Sequence, residues 1–337
     1  MSATRPAVGV VTPVYNGATY LAAAIESVIN QSYTNWSYVI VDNCSTDETF
    51  AIAQAYAARD RRISVVRNQR HLPMLANWNE AMRRLPPGAA YCKVLHADDL
   101  LLPQCLEAMV ALAEAHPEVV VVGAYRLQGE RVGLTGLPTD QTVFSGRALG
   151  RRFLLEGLRI FGSPTSTLLR AEPVRRREAF YNEANLHADT EAILELLREG
   201  DFGFVHETLT VTRAHAEQNT TFARRMNSFL PGNLMTLLRH GRAFLSEREI
   251  EALLARRLQQ YDRFLAQAVL QRREPAFWAY HREVCARLGY PLTRLRLARA
   301  TGRFILERLC GRVGLGALFE RIARPRATPA RRLLRAS

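Results

Sequence analysis

Lysine is nearly missing from this chain of 337 residues: of its 45 basic side chains all but Lys93 are arginine. Missing too is any run of 18 apolar residues, so no membrane-spanning helix is legible. The opening MSATRPAVGVVTPVYNG passes from one arginine straight into strand and turn residues. It has neither the apolar core nor the small-residue cleavage site of an export signal, and a cytoplasmic protein is expected. Cys44, Cys92, Cys105, Cys285 and Cys310 form no CxxC pair and leave an odd number. That spacing argues against a disulfide framework or a zinc site and for reduced, mostly buried thiols. No GxGxxG follows the first apolar run, which removes the fingerprint of a dinucleotide-binding dehydrogenase. The Gly- and Arg-rich phosphate loop expected of a sugar nucleotidyltransferase is absent as well.

What is present is an ordinary globular composition, 48% hydrophobic and 23% charged, with a net charge of +13. The charge is unevenly placed: residues 1–220 hold 21 basic and 24 acidic side chains, whereas residues 221–337 hold 24 and 8. Two domains are expected, an α/β domain over 1–221 and an Arg-rich helical region over 222–337. Breaks in the latter are expected at Pro231-Gly232, Gly289–Pro291 and Arg324–Pro329. Between Arg294 and Arg335, leucine, isoleucine and valine alternate with arginine. Such a segment suits peripheral binding to an anionic membrane surface at its inner face, or packing as a bundle with a solvated arginine face. A nucleic-acid partner is not expected, because no binding motif accompanies the charge and aromatics are sparse.

Strand and helix signals alternate through the first half. Strands are expected at Ala7–Thr12, ended by Pro13, then at Ser37–Asp42, Ile63–Arg67, Tyr91–Leu95 and Glu118–Ala124. Helical spacing fills the gaps: Tyr20 to Ile29, Thr46–Ala58, Ala76–Leu85 and Gln104–Ala115. This alternation implies a mostly parallel sheet with helices on both faces, whose ligands sit at the carboxyl ends of the strands. The polar clusters fall there: TPVYN after the first strand, DNCSTD after the second and HADD after the fourth.

Each cluster has a bland reading and a chemical one. Asp98-Asp99 is a turn with a helix cap, or a pair of hard carboxylates for Mg2+ or Mn2+. Tyr15 packs, or stacks on a base. Asp42 and Asn43 shape a loop, or hydrogen-bond the base. Lys93 alternates along the fourth strand as a partly exposed support.

The three clusters together, Thr12–Asn16, Val41–Thr49 and Leu95–Pro103, resemble in order and spacing the signatures of the family 2 glycosyltransferases with the GT-A fold. The similarity covers residues 7–125 and continues more weakly to about 220. It implies an inverting, metal-dependent enzyme of the hexosyl- or deoxyhexosyltransferase class. The sugar would pass from a nucleoside-diphosphate-sugar to a hydroxyl of a glycan or lipid-linked acceptor, in cell-surface polysaccharide synthesis. By the same resemblance Thr12, Pro13, Tyr15, Asp42 and Asn43 line the nucleoside pocket. Asp99 then holds the metal, with Asp98 near the ribose. The chain departs from the family's pattern in having Asp42-Asn43 where many members have two aspartates. The first position of its DxD motif is also non-acidic, Ala97 or His96 depending on register.

Further along, Asp189 in HADTEAILELL resembles the family's catalytic base, with Glu191 as the fallback. As a helix N-cap it would be held as an anion by the helix end, which lowers its pKa unless burial offsets the effect. His215 resembles a late histidine that reaches the metal or diphosphate, and Ser163 and Thr165 resemble acceptor-side contacts. The competing expectation is a non-catalytic nucleotide-sugar-binding or membrane scaffold protein with the same fold.

Overall fold

The computed structural model describes residues 5–213, 223, 225–312, 330, 333 and 334. The chain divides into two compact units, Met1–Ala216 and Glu217–Ser337. His215 and the boundary expected at 221 lie outside the described residues.

The elements of the first unit are β1 (Val8–Val14), α1 (Ala18–Ile29), β2 (Trp36–Asp42), α2 (Thr49–Arg59), β3 (Ile63–Arg67), α3 (Met74–Arg83), β4 (Tyr91–Val94) and β5 (Asp99–Leu101). They continue as α4 (Cys105–Ala115), β6 (Val119–Gln128), β7 (Arg131–Gly133), β8 (Val143–Phe144), α5 (Gly146–Glu156), β9 (Thr167–Arg170), α6 (Ala171–Arg175), α7 (Ala188–Leu196) and β10 (Asp201–Thr212). One sheet runs β3-β2-β1-β4-β9-β6-β10-β5, with β7 on β6 and β8 on β10. The pairs β1–β2, β1–β4, β2–β3 and β6–β10 are parallel, as the strand–helix alternation predicts. β9 enters antiparallel between β4 and β6, and β5 pairs antiparallel with β10, so the sheet is mixed.

Every residue of β1 is buried, which is why its sequence is almost continuously apolar. Val8 and Val10 share a core with Leu21, Ile25 and Val28 of α1 and Leu106, Met109 and Val110 of α4. Gly9 faces the other way, where a Cβ would stand 2.6 Å from Leu85 Cδ1. Only glycine lets the chain after α3 lie this close to the sheet.

Two breaks expected at prolines do not occur. β1 continues through Pro13, because its pairing with β4 ends at Val11 and the missing N–H falls beyond that ladder. In the second unit, Pro231 and Gly232 lie in the first turn of the helix Phe229–Phe244, where a missing N–H costs no intrahelical bond. That helix is followed by Glu247–Leu270, Pro275–Arg287 and Arg294–Arg312. The break at Gly289 is present, with that residue at φ +68°; Arg324–Pro329 lies outside the described residues.

A capping box starts the long helix, with Ser246 N–H donating to Glu249 Oε2 at 3.0 Å. His281 is buried between Tyr261 OH (2.6 Å) and the Met226 carbonyl (2.8 Å). Burial pushes its pKa down to about 4, so it serves this unit as a neutral packing group. Among the described residues no helix is long and apolar enough to cross a membrane.

Candidate active site

Because β2, β1 and β4 are neighbours in the sheet, the loops leaving them share one edge. Two interstrand spacings, roughly 10 Å, separate the outer pair. The first two loops are stitched together. Asn16, at φ +49°, donates its N–H to Ser45 Oγ (2.9 Å) and accepts the Thr46 N–H (2.8 Å). At the start of α1 the N–H groups of Gly17 and Ala18 donate to Thr49 Oγ1 and Asp47 Oδ2.

Beside this seam Tyr15 is 48% exposed, its ring edge-on to His71 with centroids 4.5 Å apart. Asp42 is fully buried at the end of β2, where it meets Arg67 Nε at 3.1 Å and the Ser45 N–H at 3.3 Å. Pro13 is buried near the end of β1, two residues before Tyr15.

Two residues assigned to the nucleoside pocket have their side chains occupied elsewhere. Thr12 Oγ1 bonds the Tyr38 hydroxyl (2.7 Å) and donates to the Leu95 carbonyl (2.6 Å), tying β1 to the start of the HADD loop. Asn43 makes a reciprocal pair with the backbone of Leu72, donating from Nδ2 at 2.8 Å and accepting at Oδ1 at 2.9 Å. Asn68 donates to both Asn43 Oδ1 and Asn77 Oδ1, each at 2.9 Å. The asparagine set thereby shapes the 68–73 loop that carries His71. Sequence reading did not single out Arg67, Asn68, His71 or Asn77; the one available signal was the density of polar residues around Pro73.

Lys93 is fully buried, not partly exposed as its alternation suggested. The insertion of β9 beside β4 covers it, and its Nζ donates to the carbonyls of Thr165 (2.7 Å) and Thr167 (3.2 Å). Burial holds its pKa below the usual lysine value. The turn so anchored, Pro164–Ser166, returns to the HADD loop, where Thr165 Oγ1 accepts the His96 N–H at 3.1 Å.

Within HADD a tight turn joins the Asp99 N–H to the His96 carbonyl at 3.0 Å. Asp99 is 2% exposed and Asp98 half-buried. Burial raises the Asp99 pKa, as does the neighbouring Asp98, while His96 and the Thr165 and Thr212 hydroxyls favour its anion. A ring nitrogen of His96 and one carboxylate oxygen from each aspartate all lie within 4.8 Å of one another. Two hard oxygens and an imidazole form a donor set that fits a divalent cation. Nε2 of His96 is buried with no hydrogen-bond partner among the described residues.

Asp189 is not the N-cap of α7. His187 holds that position, and Asp189 lies within the first turn, its Oδ1 accepting the Thr190 N–H at 2.8 Å. Burial dominates and raises its pKa, against the Thr190 N–H and the nearby His187 and His96. The carboxyl borders a cavity of about 10 Å³ shared with Ser163, Gly162 and Tyr181, room for a single water. Trp78 packs on His96 and on Tyr181, with ring centroids 4.6 and 5.3 Å away, so one indole links the HADD loop to the wall of the Asp189 cavity. Glu191 is 2% exposed and accepts from Asn182 Nδ2 at 2.7 Å, which turns it toward the protein interior.

The sequence profile described as Glycosyl transferase family 2 matches residues 9–177, half of the chain. The chain belongs to this family. "Putative glycosyltransferase EpsE" of Bacillus subtilis (strain 168) is 36% identical over 132 residues, 39% of this chain and 47% of that protein. "Putative teichuronic acid biosynthesis glycosyltransferase TuaG" of the same organism is 30% identical over 149 residues, 44% and 57% of the two chains. The match thus spans about half the length of these curated relatives.

Solved structures show a likeness in fold over a longer part of the chain. TarS 1-349 of S. aureus in complex with UDP-GlcNAc superposes with a TM-score of 0.63 at 16% identity, covering 91% of this chain and 92% of that one. The mannosyltransferase PcManGT from Pyrobaculum calidifontis, in complex with GDP-Man and Mn2+, gives 0.53 at 17% identity, covering 91% and 89%. The family 2 chain has the GT-A fold expected from its motifs.

Proposed function

We propose that the protein is an inverting, metal-dependent glycosyltransferase that moves a sugar from a nucleoside diphosphate to a hydroxyl of a glycan or lipid-linked acceptor. The reading is carried by one observation: the β2, β1 and β4 loops share a sheet edge where His96, Asp98 and Asp99 converge within 4.8 Å. Tyr15 offers an exposed ring to the base, and the buried Asp42 an acceptor for a base N–H, with Pro13 as backbone wall. Thr12 and Asn43 support this pocket by fixing its loops rather than by touching the donor.

Asp98 and Asp99 hold a Mg2+ or Mn2+ ion, with Asp98 also toward the ribose. Once bound, that ion supplies positive charge to the departing diphosphate. His215 is a further candidate ligand on the resemblance alone. Asp189 takes the proton of the acceptor hydroxyl as its oxygen bonds to the anomeric carbon and the bond to the diphosphate breaks. Its raised pKa suits this role, since a carboxylate in the ordinary acidic range is a weak base at neutral pH. A cytoplasmic protein acting at the inner membrane face, in surface polysaccharide synthesis, accords with the helix Arg294–Arg312. That helix exposes Leu295, Ile305, Leu306 and Leu309 among its arginines.

A nucleotide-sugar panel with Mn2+ tests the reading, comparing wild type with Asp99→Ala. Metal-dependent donor binding is expected to disappear in the variant, and the product anomer from wild type to be inverted relative to the donor. Intact donor affinity in Asp99→Ala would remove the metal assignment; wild type without turnover on any donor would favour a nucleotide-sugar-binding scaffold.

A further inference from the structure

Depending on register, Ala97 or His96 stands where the family's motif resemblance expects an acidic residue, and three contacts place His96 in the site. Its backbone N–H is tied to Thr165 Oγ1 at 3.1 Å, its backbone carbonyl accepts the Asp99 N–H at 3.0 Å, and its ring packs on Trp78. The anchor behind it is rigid, because Thr165 hangs from the buried Lys93 Nζ through its own carbonyl. A ring held this way is pre-organised, with little freedom left to lose on binding.

The same ring carries a buried nitrogen, Nε2, that no described residue satisfies. A buried polar atom without a partner costs desolvation that no contact returns, so its retention beside two carboxylates calls for a ligand. A ring nitrogen of His96 and one oxygen from each of two aspartates lie within 4.8 Å of one another, the form of a cation site. The softer nitrogen changes what the site prefers. Mg2+ favours an all-oxygen shell with near-ideal octahedral geometry, whereas imidazole binds later first-row metals more readily.

We propose that His96 is a direct ligand of the donor-site cation and biases this site toward Mn2+ and Co2+ over Mg2+. The inference rests on the metal-dependent reading above and specifies the ion that reading leaves open. It makes His96, rather than only the two aspartates, a determinant of metal choice.

Binding of MnCl2, CoCl2 and MgCl2 is measured by calorimetry in the presence of UDP and, separately, GDP, on wild type, His96→Asp, His96→Gln and Asp98→Asn. The expected result is a wild-type preference for Mn2+ over Mg2+ that falls by about tenfold in His96→Asp, where an oxygen replaces the nitrogen. Pulsed electron paramagnetic resonance of the Mn2+-loaded protein is expected to show nitrogen modulation that vanishes in both His96 variants and persists in His215→Ala. Metal-free melting curves check that each variant is folded, and the Gln variant stands in should the Asp variant fail to fold. Unchanged metal preference, or nitrogen modulation lost only in His215→Ala, overturns the role of His96 while leaving the metal site standing. Absence of divalent-ion binding in wild type with either nucleotide overturns the metal-dependent reading itself.

Discussion

Replacing Asp189 by asparagine separates chemistry from folding. The amide keeps an oxygen for the Thr190 N–H, held at 2.8 Å in wild type, and changes almost no volume. It cannot accept the acceptor's proton. A general base is worth about 10²- to 10⁴-fold in rate, or roughly 3–5 kcal/mol of barrier. Transfer is therefore expected to fall by that factor, with the donor dissociation constant unchanged.

The stability effect has the opposite sign. Burial raises the Asp189 pKa, so the folded state binds this proton more tightly than the unfolded chain, whose carboxyl titrates near about 3.9. The favourable contribution is full below that value and is lost as pH rises through the higher folded pKa. At neutral pH the wild type thus carries a partly buried charge that asparagine lacks, and the variant is expected to melt no lower than wild type. Below pH about 4 that advantage closes. The assay pairs stopped-time transfer with calorimetric melting across pH, and the acid limb of wild-type kcat/KM is expected above the ordinary aspartate range. Transfer within tenfold of wild type, or a melting loss at neutral pH with intact donor binding, would refute the assignment of Asp189 as a partly buried base.

Three further outcomes follow from the packing. Asn43→Ala leaves both the N–H and the carbonyl of Leu72 without their partner. At about 1–3 kcal/mol for such a loss, lower thermal stability and weaker nucleotide binding are expected together in a melting assay with and without UDP; normal values of both would show that the 68–73 loop holds itself. Lys93→Met strips the Thr165 and Thr167 carbonyls of their donor and should lower the melting temperature and Mn2+ affinity together. If melting falls while Mn2+ affinity stays put, the Lys93–Thr165 brace does not position the HADD loop. Changing the exposed Leu295, Leu306 and Leu309 to serine should abolish cosedimentation with phosphatidylglycerol vesicles without altering the melting curve; undiminished cosedimentation counts against a membrane-binding face.

Much of the candidate site was legible because its parts lie in short segments at strand ends. TPVYN, DNCSTD and HADD each follow an apolar run, and in a wound α/β sheet that position is where ligands gather. The strand–helix alternation likewise foretold β1 to β4 and the helices between them. It did not foretell β9, whose antiparallel insertion makes the sheet mixed and seals Lys93 inside. Alternation along one strand reports which way a side chain points, but burial depends on which strand arrives beside it.

By itself, then, the sequence determined the order of the first four strands and the helices between them, the family, and the acidic and aromatic residues brought to one edge of the sheet. These follow from local periodicity and from motifs whose members are a few residues apart. Tertiary structure alone decided which of the polar side chains there are tied to distant parts of the protein. Thr12 is spent on Leu95, Asn43 on Leu72 and Lys93 on Thr165, while His96 joins the aspartates with a nitrogen left over. The partner of a hydrogen-bonding group lies tens of residues away in the chain, and only packing brings the two within reach.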